Sequence, residues 1–89
     1  MTLQTIAEHY GLDNQLLQAM EECGELIQAI SKYKRYKDKL RLIEEIADVQ
    51  IMINQLVYLL GCEDRVNEMM IIKLKRQTER IKEELSNVK

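Results

Sequence analysis

Glu22-Cys23-Gly24-Glu25 and Glu45-Ile46-Ala47-Asp48 are the residues in this chain best spaced to do chemistry. Each motif sets two carboxylates three positions apart, which on a helix points both from one side. The residue numbers of Glu22 with Asp48 and of Glu25 with Glu45 add to the same total. If the two segments are helices folding back on each other near residue 35, all four acids meet at one level. Four converging carboxylates repel one another unless a cation lies between them. A hard divalent ion suits them, and Mg²⁺ accepts carboxylate oxygens while keeping waters for a phosphate ligand. The alternative is a pair of solvated acidic faces, because an acid-rich chain produces such spacings by chance.

Placement favours the metal reading. At about 100° per residue, Glu22 and Glu25 run along one edge of a stripe formed by Leu16, Ala19, Met20, Cys23, Leu26, Ile27 and Ile30. Glu45 and Asp48 lie likewise beside Leu42, Ile46, Val49, Ile53 and Leu56. Two metal chemistries are open to a helical bundle. The di-iron type needs Glu-x-x-His motifs, whereas the one histidine here, His9, lies outside both acidic motifs. Oxygen-only ligands point instead to Mg²⁺ or Mn²⁺ and to phosphoryl or nucleotidyl chemistry.

The elements that must position these residues are helices. The 89 residues contain no Pro, Trp or Phe and only 3 Gly, and good helix formers dominate. The expectation is an all-α fold, a single domain over 1–89, built as a four-helix bundle. The first helix runs from Thr2, its N-cap, to Tyr10, with Gly11 as its stop. The second runs from Asp13, read as its N-cap, to Tyr33. The third covers Lys39 to Leu60 with Gly61 after its end, and the fourth covers Asp64 to Ser86. Gly24 inside the second helix costs roughly 1 kcal/mol against alanine. Close helix contact and substrate access are both open as its reason.

Association is expected too. A chain this short buries a modest share of its surface. The back half of the third helix, with Val49, Ile51, Met52, Ile53, Leu56, Val57, Leu59 and Leu60, is apolar nearly all round, as in a helix covered on every side. Leu74, Thr78, Ile81, Leu85 and Val88 form a seam along the fourth helix. A homodimer, or a homotetramer built from dimers, would cover these faces.

Other classes are disfavoured. Net charge is −2, so no overall field draws nucleic acid or an anionic membrane. No aromatic-interleaved basic platform suits base stacking, and no apolar stretch reaches spanning length. Lys32, Lys34, Arg35, Lys37, Lys39 and Arg41 crowd together around Asp38. They read as an exposed connector or as a phosphate-attracting lip near the acids. Cys23 and Cys62 have neither zinc-site nor disulfide-scaffold spacing, and Cys23 falls on an apolar face, which predicts a buried thiol. With no secretory leader pattern, a reducing cytoplasm is the expected setting.

Glu21-Glu22-Cys23-Gly24-Glu25, residues 26–44, then Glu45-Ile46-Ala47-Asp48 resembles the EExxE…ExxD signature of the MazG-like, all-α nucleoside triphosphate pyrophosphohydrolases. Leu-Ile-Glu-Glu-Ile-Ala-Asp-Val at 42–49 and the basic stretch at 73–80 are similar to that family as well. The resemblance spans about residues 12 to 82. It implies Mg²⁺-dependent hydrolysis of an NTP or dNTP to the monophosphate and pyrophosphate, in nucleotide-pool housekeeping. Glu22, Glu25, Glu45 and Asp48 would bind the metal, with one glutamate handling the attacking water. Lys73, Gln77 and Arg80, sharing one helix face, would hold the triphosphate, with Arg76 in reserve. Asn54 would contact substrate. His9, Tyr10, Gln15 and Gln18 are candidates for the nucleoside pocket. Two other readings are phosphoribosyl-ATP pyrophosphohydrolase and a non-enzymatic helical module for dimerisation or interaction.

Overall fold

One glycine separates the first two helices. In the computed structural model, which describes residues 1–87, α1 spans Leu3–Tyr10 and α2 spans Leu12–Tyr36. Thr2 caps α1 as expected, its hydroxyl accepting from the Thr5 N–H at 3.1 Å. Gly11 has φ of 82°, a left-handed value that favours glycine. Its N–H donates to the Ala7 carbonyl at 2.9 Å, closing α1, and its own carbonyl accepts from the Gln15 N–H at 3.1 Å, opening α2. Gly11 rather than Asp13 is thus the N-cap of α2. Asp13 lies in the first turn, where its charge still complements the helix dipole.

α2 runs past Tyr33 to Tyr36, with Lys34 and Arg35 in its last turn, where cations suit the exposed carbonyls. The reversal therefore falls at Lys37, with φ of 60°, and Asp38, later than expected. Lys37 places its ammonium 5.2 Å from the Tyr33 ring centroid. Asp38 then caps α3, Lys39–Leu60, by accepting from the Arg41 N–H at 3.3 Å. Gly61 ends α3 in the left-handed conformation, and α4 spans Glu63–Ser86, opening one residue before Asp64. The described residues are all-α. None of their helices is long and apolar enough to cross a membrane.

α2 and α3 form a hairpin, α1 packs on both, and α4 packs on α3 alone. The α2–α3 seam is set by Gln15, Ala19, Glu22, Leu26 and Ala29 on one side. Leu42, Glu45, Val49, Met52 and Leu56 face them, all buried or half-buried. These positions alternate in steps of three and four, the spacing of one helix face. Small residues at 19 and 29 permit close approach. Gln15 Nε2 donates to Gln55 Oε1 within this seam, in the register that opposes Glu22 to Asp48.

Of the apolar stripe of α2, this seam covers only Ala19 and Leu26. Leu16, Met20, Ile27 and Ile30 are exposed, and Cys23 is exposed rather than a buried thiol. Ile46 and Ile53 on α3 are exposed likewise, as are Ile51 and Leu60 of its apolar back half. α3 packs on neighbours along only part of its circumference, so the all-round burial expected of it does not occur within one chain. The apolar core comprises Ala7, Ala29, Val49 and Met52. α4 buries no residue. Leu74, Ile81 and Leu85 of its seam are exposed, and Val88 lies outside the described residues. The radius of gyration is 17.1 Å, against about 12 Å for a compact domain of this length.

Candidate metal centre

Glu22 on α2 and Glu45 and Asp48 on α3 each present a carboxylate oxygen, and these oxygens all lie within 4.8 Å of one another. Two oxygens bonded to one hard divalent ion sit at most about 4–5 Å apart, so the spread suits a single ion. Glu22 and Glu45 are there because they occupy seam positions. Packing of α2 on α3 strips water from them, while Asp48 forms the exposed rim.

The seam leaves these acids short of partners. Glu45 is only 7% exposed. Its Oε2 and the Oε2 of Glu22 are buried with no hydrogen-bond donor. A buried polar atom left unpaired is costly, and more so when charged. Burial pushes the Glu45 carboxyl above its ordinary range, the Glu25 and Asp48 charges push it further, Arg41 opposes them, and Glu22 adds a smaller push. A cation among Glu22, Glu45 and Asp48 would offset such a penalty. The donor set, all carboxylate oxygen, fits a hard ion. Glu25 is exposed and outside the group of three, and acts on it through its charge.

Gln18 holds the other oxygen of Glu22: its Nε2 donates to Glu22 Oε1 at 3.0 Å. Placed among the substrate contacts by resemblance, Gln18 here orients a carboxylate. It also borders an open cleft of about 720 Å³ with Tyr10, Gln15, Leu17, Met52 and Gln55. Three of the four nucleoside-pocket candidates therefore share one cleft, which reaches the acids through Gln18. His9 is not among that cleft's lining. It is exposed and its ring meets Tyr10 edge-on, centroids 4.9 Å apart.

Asn54 lies elsewhere. It lines a second cleft with Leu3, Gln4, Tyr58, Val66 and Met70, between α1, α3 and α4. Six residues beyond Asp48 amount to about 600° of rotation, which turns Asn54 away from the carboxylate face. Lys73, Gln77, Arg80 and Arg76 are all exposed on α4. Because α4 touches only α3, the chain does not by itself carry them to Glu22 on α2.

Two interactions were not anticipated from sequence. The buried Gln15–Gln55 amide pair shares the numerical register of the acids, and that register was its available signal. The Tyr58 hydroxyl donates to a Glu8 carboxylate oxygen, tying α3 to α1. That bond raises the Tyr58 pKa, with burial and the Glu8 charge adding to it. Gly24 has nothing within 4 Å of where a Cβ would stand, so close packing within the chain is not its reason. No family model, curated protein or solved structure matches this chain.

Proposed function

We propose that this chain is a Mg²⁺- or Mn²⁺-dependent, MazG-like nucleoside triphosphate pyrophosphohydrolase that works as a homo-oligomer. The observation that carries the reading is the convergence of Glu22, Glu45 and Asp48 with two buried, unpartnered oxygens. Ordinary solvated acids keep their water; Glu22 Oε2 and Glu45 Oε2 have lost it without gaining a donor within the chain. Glu22, Glu45 and Asp48 supply the ligand oxygens. One of the glutamates accepts the proton of the attacking water. A divalent ion bound there supplies charge neutralisation on phosphate oxygens and acidifies water. Hydrolysis consumes one water and divides an NTP into a monophosphate and pyrophosphate. The cleft beside Gln18, with Tyr10 and Gln15, is placed to receive the nucleoside end.

The homo-oligomer follows from the unfilled surfaces. A second copy would cover the exposed Leu74, Ile81 and Leu85 face of α4 and bring Lys73, Gln77 and Arg80 to a neighbouring site. That same apolar face favours a second reading, a helical interaction module without turnover. Pyrophosphate release from a panel of canonical and modified NTPs and dNTPs and phosphoribosyl-ATP, with Mg²⁺, Mn²⁺ or chelator, separates the two. Metal-dependent release with a monophosphate co-product supports the enzyme and ranks its substrates. Exclusive turnover of phosphoribosyl-ATP replaces the pool-housekeeping role, and no release from a folded oligomer leaves the interaction module.

A further inference from the structure

We infer that Arg41 is the chain's own anion-binding group at the carboxylate site, taking a phosphate oxygen of a metal-bound di- or triphosphate. The inference rests on reading the carboxylates as a metal centre. Six cations crowd the hairpin end, and Lys32, Lys34, Arg35, Lys37 and Lys39 are exposed. Arg41 alone among them is half-buried, and its Nε is shielded from solvent with no hydrogen-bond partner. A guanidinium nitrogen shielded from water needs an acceptor, and leaving a buried donor unpaired is costly.

Its position supplies the reason. Arg41 stands one helical turn before Glu45, a spacing that sets Cβ atoms about 5–6 Å apart on one face. Opposite charges so placed commonly pair, yet Glu45 Oε2 and Arg41 Nε both remain unbonded. Each is thus available to a third party, the oxygen to a cation and the guanidinium to an anion. Charge balance requires such a division. Glu22, Glu25, Glu45 and Asp48 together outweigh one divalent ion, so a polyphosphate approaching them meets net repulsion. The cations of α4 stand on a helix that touches only α3. Arg41 is the positive group that α3 itself sets beside the acids. A guanidinium also matches phosphate with a two-pronged geometry that lysine lacks.

The test compares the full-length wild type with Arg41→Gln and Arg41→Lys. Mn²⁺ binding is measured alone by calorimetry, and pyrophosphate binding is measured with saturating Mg²⁺. Removing a cation from beside the acids should leave Mn²⁺ affinity unchanged or tighter in Arg41→Gln, while pyrophosphate affinity falls about tenfold or more. Arg41→Lys should keep Mn²⁺ affinity and lose less pyrophosphate affinity. Unchanged pyrophosphate affinity in Arg41→Gln overturns the inference, and so does a parallel loss of both ligands in both variants, which marks a packing role. Absence of Mn²⁺ binding in the wild type instead removes the metal centre itself, and this inference with it.

Discussion

The α2–α3 hairpin and α4 use their amphipathic surfaces in opposite ways. The hairpin buries polar groups along its seam, with Gln15 paired to Gln55 and Glu22 set against Glu45, while its apolar stripe around Met20 and Ile27 stays exposed. α4 buries nothing, and its apolar seam faces solvent. Simple hydrophobic burial would have chosen the reverse on α2. Desolvated carboxylates oppose folding unless something compensates them, so their seam positions point to a ligand. Exposed apolar faces on α2 and α4 point to another protein surface. On the proposed reading, an ion completes the first region and a second copy of the chain the other.

The largest effect should come from the ion side. Glu45→Gln is expected to lower metal-dependent turnover by about 100-fold or more, since even residues that only support metal ligands cost 10–100-fold. The same substitution should raise the melting temperature of the metal-free protein, because it removes a charge the fold disfavours. The pH dependence carries the matching sign. Folded Glu45 holds its proton more tightly than the unfolded chain, whose ordinary value is 4.5. Its penalty is absent well below that value and grows as pH rises through the elevated folded pKa. Metal affinity should strengthen over the same interval, as the ion displaces the proton. Thermal melts and Mn²⁺ titrations from pH 4 to 8 would check both, and a melting temperature insensitive to both pH and Glu45→Gln would break the contrast.

The partner side comes next. Leu74→Glu with Ile81→Glu should shift sedimentation toward the monomer with helical content largely kept, each side chain forfeiting about 1.5–3 kcal/mol of burial. An unchanged oligomer would move the interface to the exposed stripe of α2. Within the hairpin, Gln55→Ala strands the buried Gln15 amide and should cost about 1–3 kcal/mol in denaturant melts. Replacing both glutamines with leucine should cost less than that single change.

Gly24→Ala gives the smallest and most diagnostic shift. With open space around it in the chain, alanine should add about 0.5–1 kcal/mol of stability through helix propensity. A loss of stability would mean that a second copy packs against that position, joining the acidic motif to the interface.

Legibility in the sequence followed the range of the forces involved. Helix ends were readable where a local cap decides them, as at Thr2, Asp38 and Gly61. They were misread at Asp13 and Tyr33, where a positive-φ glycine and two C-terminal cations carried the helix beyond the expected boundary. The facing of the two acidic motifs was expected from a reversal near residue 35; the turn comes later, at Lys37 and Asp38, and seam pairs such as Gln15 with Gln55 keep the register. Gln18 beside Glu22 and Arg41 beside Glu45 are one-turn neighbours, visible in spacing but not in role. Asn54 falls on another face of α3, since its distance along the chain hides a rotation away from the acids.

The sequence by itself determined an all-helical chain and its four segments, because helix periodicity and capping are local properties. Only the tertiary structure decided which edge of α2 turns inward. Apolar residues span more than one face of that helix, so periodicity alone permits several packings. The line through Ala19 and Ala29 allows the closest approach to α3, and it carries Glu22 inward while leaving Cys23 in solvent. The burial of Glu45 and the orphaned oxygens follow from that choice.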